Sequence, residues 1–156
     1  TWDSRRYSEE MILRFGAVGA QNPRTFDTYD RIDDMTYMTV HDVLKFYLHG
    51  YSRVTDNLCR EIRFGRITRE DALAVEHRYQ ADYPEQQIRT FLDWLGMEYS
   101  AFEWYAERMP FFDKKKYKTP LSESAKSFVS SFTFNGPPVN NSKTFLIYGK
   151  GLHLND

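Results

Sequence analysis

The sequence has 156 residues, and its 21 Lys plus Arg nearly balance 22 Asp plus Glu. A chain of this length supports one domain, and its near-neutral charge excludes a net field that would concentrate nucleic acid or anionic membrane around it. A single cysteine excludes an internal disulfide and a cysteine zinc cage and favours a cytoplasmic setting, while no apolar run reaches the roughly 20 residues that cross a bilayer.

The first third of the chain predicts two helices separated by a loop. Ser8, the acids that follow it and an apolar run predict a short helix that Gly16 ends. Residues 17–34 lack sustained periodicity and carry four Asp, so they are predicted to form a surface loop. From Thr39 the apolar residues recur at helical spacing, which predicts an amphipathic helix that Gly50 closes.

Four more helices are predicted between residues 55 and 110. Their ranges are 55–65, 68–79, 84–96 and 100–110. Each begins at a capping residue or a proline, and Gly65, Gly96 and Pro110 end three of them. Thr55, Thr68 and Ser100 are the predicted caps, and Pro84 suits a first helical position.

The composition changes after residue 112. A basic run, many Ser, a Gly-Pro-Pro break and one β-prone apolar run at residues 145–148 predict an irregular extension with room for one strand or hairpin. The sequence therefore predicts a mainly α fold: a bundle of about six short helices in residues 1–112, followed by an irregular extension over residues 113–156.

A dense group of polar residues surrounds the turn between the second and third predicted helices. A helix start presents unpaired backbone N–H groups and a positive dipole end, which suit an anionic ligand, and Arg53 stands at this start, where it can bind phosphate or carboxylate with two hydrogen bonds. In the structural alternative, Thr55 caps the helix, Asp56 complements its dipole and Arg53 pairs with an acid such as Asp42.

Other chemistries find less support in the sequence. No histidine pair has metal-ligand spacing, so no metal site is predicted in this chain. Cys59 stands within a helix among apolar neighbours and is expected to pack rather than react. Basic residues between 63 and 69 alternate with acids, so no nucleic-acid surface is predicted.

Three motifs occur in order between residues 41 and 72. They are His41-Asp-x-Leu-Lys-Phe46, Gly50-Tyr-x-Arg53-x-Thr-Asp56 and Ile62-Arg63-x-Gly-Arg-Ile-Thr-Arg-Glu-x-Ala72. Together with the Trp-Asp opening, they make residues 1–112 resemble the C-terminal region of the N-acetyl sugar amidotransferases, which belong to the PP-loop ATP-pyrophosphatase superfamily. Residues 113–156 carry no part of this resemblance.

The resemblance implies a function for the complete enzyme. Family members convert an acetamido group on a bacterial nonulosonate or nucleotide-linked uronic acid into an acetamidino group, using ATP and Mg²⁺ in a PP-loop half and ammonia from a glutaminase-type partner. This sequence lacks a Ser-Gly-Gly-x-Asp-Ser type loop, so the chain alone is not expected to adenylate an amide, and Ser52 stands where the family pattern has glycine.

The implied role of this chain is the helical, substrate-side portion of such an enzyme, with a nucleotide sugar or other anionic sugar as its ligand. No catalytic residue is assigned. The candidate substrate-binding residues are Arg53, Thr55, Asp56, Arg63, His41, Asp42 and Lys45.

A different class of function is a helical interaction module. It would bind a partner through exposed aromatic residues and a C-terminal strand. The aromatic candidates are Phe102, Trp104, Tyr105, Phe111 and Phe112.

Overall fold

A computed structural model describes residues 2–19, 22–29, 34–112 and 120–132. Within these ranges all the regular secondary structure is helical, which confirms the predicted mainly α fold. The predicted strand at 145–148 lies outside the described residues. The helices are α1 Ser4–Phe15, α2 Met35–His49, α3 Arg53–Arg63, α4 Arg69–Gln80, α5 Glu85–Leu95, α6 Tyr99–Ala106 and α7 Glu123–Ser130.

Glycines end three of these helices where the sequence predicts. Gly16, Gly50 and Gly96 close α1, α2 and α5 in the left-handed conformation that a side chain disfavours. None of the described helices has the length and apolar character needed to span a membrane.

The helix starts differ more from the predictions. Helix α1 begins four residues before Ser8, because the Asp3 side chain accepts a hydrogen bond from the Arg6 N–H at 3.4 Å and acts as the cap. Thr68 caps α4 as predicted and accepts the Asp71 N–H at 3.2 Å.

Three other predicted starts need correction. Ser52, not Thr55, is the cap of α3, and Thr55 lies three residues further along, where it accepts the Ser52 N–H at 3.1 Å. Pro84 precedes the first residue of α5. Ser100 lies inside α6, which begins one residue before it.

The apolar core consists of two separate clusters. The first, called here the α3–α4–α7 cluster, is built around Val54, Leu58 and Val75 and also takes in Phe26 and Phe128. The second, called here the α2–α5–α6 cluster, has the following buried members: Val40, Val43, Tyr47, Ile88, Leu92, Phe102 and Ala106. Helix packing follows the same division, because α3 packs on α4 and α4 on α7, while α2 packs on α5 and α5 on α6.

Helix α7 lies in the range that the sequence predicts to be irregular. The Ser122 side chain caps it by accepting the Ala125 N–H at 3.1 Å. The rings of Phe128 and Phe132 lie 5.1 and 4.8 Å from that of Phe26, centroid to centroid. This helix therefore completes the α3–α4–α7 cluster.

The segment predicted as a surface loop is irregular but largely buried, so the prediction of surface exposure is wrong for residues 22–29. Phe26 and Tyr29 fill the α3–α4–α7 cluster, which draws the segment inward. Its polar side chains accompany them and are hydrogen-bonded, as buried polar groups must be. The buried polar members are Asn22, Arg24, Thr25 and Asp27.

Arg24 forms the main polar connection between the two clusters. Its Nε donates to Asp42 Oδ2 of α2 at 2.7 Å, and its Nη1 donates to the Gln80 and Asp82 carbonyl oxygens at 3.1 and 2.7 Å. Arg24 has a φ of +60°, unusual for a residue with a side chain. These contacts, called here the polar seam, hold that conformation.

A chain of ion pairs fixes the ends of α1 and α3. Asp27 pairs with Arg60 at 2.6 Å, Arg60 with the fully buried Glu61 at 3.1 Å, and Glu61 with Arg66 at 3.0 Å. Arg66 also binds the Asp3 carboxylate through both terminal nitrogens. The Arg66 hydrogen bond lowers the pKa of Asp3 below its usual value.

We expect Asp3→Asn to lower the free energy of unfolding at pH 7 by about 1 kcal/mol, since the helix cap remains but Arg66 loses one of its two carboxylate partners and keeps only Glu61. A carboxyl with a lowered folded-state pKa contributes stability above its unfolded pKa and loses it as the pH falls through the folded pKa. The deficit should therefore be constant from pH 7 to 5 and shrink below about pH 4.

Urea unfolding at several pH values measures this deficit. Glu10→Gln is the matched control, because Glu10 belongs to an exposed pair with Arg14 and its removal should cost little at any pH. A deficit for Asp3→Asn that stays constant down to pH 3 would show that the carboxylate charge is not its source.

Candidate functional site

The candidate site is the turn at residues 50–52, which joins α2 to α3. Gly50 has a φ of +75°, and a Cβ at this position would lie 3.0 Å from the Phe111 ring. The Phe111 N–H donates to the Tyr47 carbonyl oxygen at 2.9 Å. The turn is thus fixed from outside by the chain that leaves α6.

The start of α3 is held by a carboxylate of the protein itself. Asp42 Oδ1 accepts the Arg53 N–H at 2.6 Å, while Asp42 Oδ2 accepts from the Arg24 guanidinium. Ser52 is buried with an extended φ of −137°, a conformation open to any residue, so the serine is accommodated where the resemblance implies glycine. Asp42 is buried behind the turn, and its carboxylate positions Arg53 through the backbone.

Thr55 is committed to contacts inside the protein. Its hydroxyl donates to the Glu76 carboxylate of α4 and accepts from the Ser52 N–H, and Gln80 Nε2 lies 3.4 Å from the same oxygen. Gln80 in turn donates to Glu76 at 3.1 Å. Thr55 therefore fixes α3 against α4, which is a positioning role.

Lys45 and Asp56 lie at the rim of the turn. Lys45 Nζ is 2.5 Å from Asp56 Oδ2 and 4.7 Å from the centroid of the Tyr51 ring. More than half of the Asp56 side chain is exposed. An exposed ion pair of this kind contributes little to stability, so its members can exchange their contact for hydroxyl or anionic groups of a ligand.

The remaining candidates are more dispersed. His41 is exposed on α2, with its ring 6.3 Å from that of Tyr37. Arg63 is exposed at the last position of α3, ten residues from Arg53, which corresponds to roughly 15 Å along the helix. The two arginines therefore cannot bind the same phosphate, although an extended ligand can reach both.

Sequence reasoning missed three residues that hold the site together. Arg24, Glu76 and Gln80 support the turn from the irregular segment and from α4. It also misjudged Cys59, which is exposed on α3 and not packed. Among the described residues, no three His, Cys, Asp or Glu side chains form a group that could hold a metal ion.

The aromatic candidates divide into two sets. Phe102 is buried in the α2–α5–α6 cluster and Phe112 packs against it, so neither can form an exposed binding surface as the sequence suggested. Trp104, Tyr105 and Phe111 are exposed, and the Arg108 guanidinium lies 3.6 Å from the Trp104 ring centroid.

Comparison with known families relates the chain to a described domain. A family model described as "LPS biosynthesis protein WbpG-like, C-terminal domain" matches residues 23–128, well over half of the chain. The matched range includes Arg24 of the polar seam, the candidate site and most of α7, and it begins after the end of α1. No curated protein and no solved structure matches the chain.

Proposed function

Because the chain belongs to the family of WbpG-like C-terminal domains of LPS biosynthesis proteins, we propose that it is the helical, substrate-side portion of an ATP-dependent N-acetyl sugar amidotransferase. The observation that carries the proposal is the set of three motifs between residues 41 and 72. They lie inside the matched range and supply both sides of the α2–α3 turn. The substrate is a nucleotide sugar or another anionic sugar.

In the complete enzyme, ATP would activate the oxygen of the acetamido group, and ammonia would replace that oxygen to give the acetamidino product. The sequence has no glycine-rich phosphate loop, the element that would hold the phosphates of ATP together with Mg²⁺. We therefore assign ATP and Mg²⁺ to a separate PP-loop half and ammonia to a glutaminase-type partner. This chain binds and orients the sugar.

The geometry supports distinct roles for the candidate residues. Arg53, at the first position of α3, would bind an anionic group of the sugar, and Lys45 and Asp56 would contact its hydroxyls at the rim. Asp42 and Thr55 position the turn from behind. The exposed Arg63, at the far end of α3, would bind a second anionic group of an extended ligand, and His41 would support the α2 side.

We expect Arg53→Ala, placed in the complete assembly, to lower kcat/KM for the sugar by a factor equivalent to about 1–3 kcal/mol, the contribution of one charge-assisted hydrogen bond. Steady-state kinetics with the sugar varied and ATP saturating measures this effect. Urea unfolding of the same variant checks that the fold is intact.

Arg69→Ala is the matched control, since Arg69 is exposed at the first position of another helix, α4, and should leave kcat/KM unchanged. Arg53→Lys should recover part of the activity, because lysine keeps the positive charge but lacks the planar guanidinium that donates two parallel hydrogen bonds. A folded Arg53→Ala variant with unchanged kinetics would remove Arg53 from the substrate site.

A helical interaction module is the second candidate function. It is favoured by three large aromatic side chains that remain exposed near the end of α6: Trp104, Tyr105 and Phe111. The two candidates differ in one measurement. Titration of the chain with nucleotide sugars, alone and with a PP-loop half, gives saturable binding only if the first is correct.

A further inference from the structure

Helix α1 carries an apolar stripe on its outer face. Tyr7, Met11 and Phe15 are spaced four residues apart and therefore lie in one row along the helix. The Trp2 ring stacks on the Tyr7 ring at 4.6 Å between centroids. These four side chains, called here the apolar ridge, are 36% to 72% exposed.

A different face of α1 is fixed to the rest of the protein. Arg5 donates to the Ser131 hydroxyl and carbonyl oxygens at 3.2 and 3.1 Å, Asp3 binds Arg66, and Ile12 packs against the α3–α4–α7 cluster. No residue of α1 is fully buried. The helix is thus held by one face only, and its orientation presents the apolar ridge outward.

Helix α1 has three arginines and two glutamates, so its charges are compensated within the helix except for Arg6, whose guanidinium lies 5.5 Å from the Tyr7 ring centroid. Arg5 pairs with Glu9 at 3.0 Å and Arg14 with Glu10 at 2.7 Å. An anionic membrane surface attracts helices with an excess of Lys and Arg on the polar face. The ridge therefore has the character of a protein contact, because exposed apolar rows bordered by polar residues mark such sites.

The position of α1 in the chain identifies the partner. The family match begins at residue 23, so α1 precedes the matched domain, and that domain is described as C-terminal. We propose that the apolar ridge of α1 is the docking surface for the N-terminal portion of these proteins, which our proposed function takes to be the PP-loop half. The ridge would pack into an apolar groove on that half and place it beside the α3–α4–α7 cluster.

The test measures the affinity between the full 156-residue chain and the PP-loop half of an N-acetyl sugar amidotransferase. Sedimentation or calorimetry gives this affinity in the absence of sugar and ATP. The double variant Met11→Ser/Phe15→Ser should bind about 30-fold more weakly or worse, since it removes two central apolar contacts. Leu13→Ser is the matched control, because Leu13 is equally exposed but lies on the other side of α1.

Oxidative labelling of Met11 provides a second readout. Met11 should be oxidised readily in the chain alone and be protected in the complex. Unchanged affinity of the double variant would overturn the proposal, as would Met11 already protected in the chain alone. A third result would also overturn it. In that case copies of this chain would associate with each other through the ridge, while addition of the PP-loop half would leave Met11 unprotected.

The two proposals fail separately. Docking is measured without substrate, so an inactive sugar site leaves its result unaffected. Conversely, loss of docking with retained sugar binding by the isolated chain would contradict only the role of the ridge.

Discussion

Replacing Arg24 by Ala is expected to lower the free energy of unfolding by about 3–5 kcal/mol, the cost of leaving one member of a buried ion pair without its partner. The Asp42 carboxylate would keep only the Arg53 N–H, and the Gln80 and Asp82 carbonyl oxygens would lose their donor. Urea unfolding of the variant and the parent chain measures the difference.

Two further variants separate the loss of the Arg24 hydrogen bonds from the strain of its left-handed backbone and from the general effect of removing an arginine. Arg24→Gly loses the same hydrogen bonds but relieves the left-handed backbone, so it should lose less stability than Arg24→Ala. Arg89→Ala removes an arginine from an exposed pair with Glu85 and should change stability by less than about 1 kcal/mol. If Arg24→Ala cost no more than Arg89→Ala, the polar seam would not hold the fold.

Phe132→Ala should cost about 3–5 kcal/mol, the range measured for large aromatic side chains removed from a core. The Phe132 ring is fully buried against Phe26, Phe128 and Tyr29, and the Arg5 guanidinium lies 4.8 Å from its centroid. Thermal or urea unfolding measures the loss. A value of this size would show that the segment ending at Phe132 belongs to the stable core.

Trp104→Ala is the appropriate comparison, because it removes a still larger aromatic side chain from an exposed position and should cost little. Equal, small effects of the two substitutions would mean that Phe132 is not packed as described.

The sequence predicted the helices of the first 112 residues because apolar periodicity and glycine stops are local signals. It missed α7, whose apolar residues Ala125, Phe128 and Val129 have helical spacing but stand in a Ser-rich stretch that favoured irregular structure. The start of α3 was misplaced because Ser52 and Thr55 are both good caps, and only the contact with Asp42 and α4 selects between them.

The candidate site was predictable only in part, because some of its contacts join residues that are distant in the sequence. Arg53, Asp56 and Thr55 could be placed at the turn, because a glycine stop followed by polar residues marks a helix start. Arg24 could not, since it reaches Asp42 from an irregular segment 18 residues earlier. Sequence periodicity carries no information about such contacts, and Arg24 looked like one more polar loop residue.

The division of the core into two clusters has a consequence for local opening. Among the described residues, the α3–α4–α7 cluster and the α2–α5–α6 cluster share no buried apolar side chain, and Arg24 connects them by polar contacts. Amide hydrogen exchange should therefore resolve two cooperative units with different protection. The boundary between these units runs through residues 50–52, so a sugar bound at Arg53 and Lys45 would bridge both and slow the exchange of the less protected one.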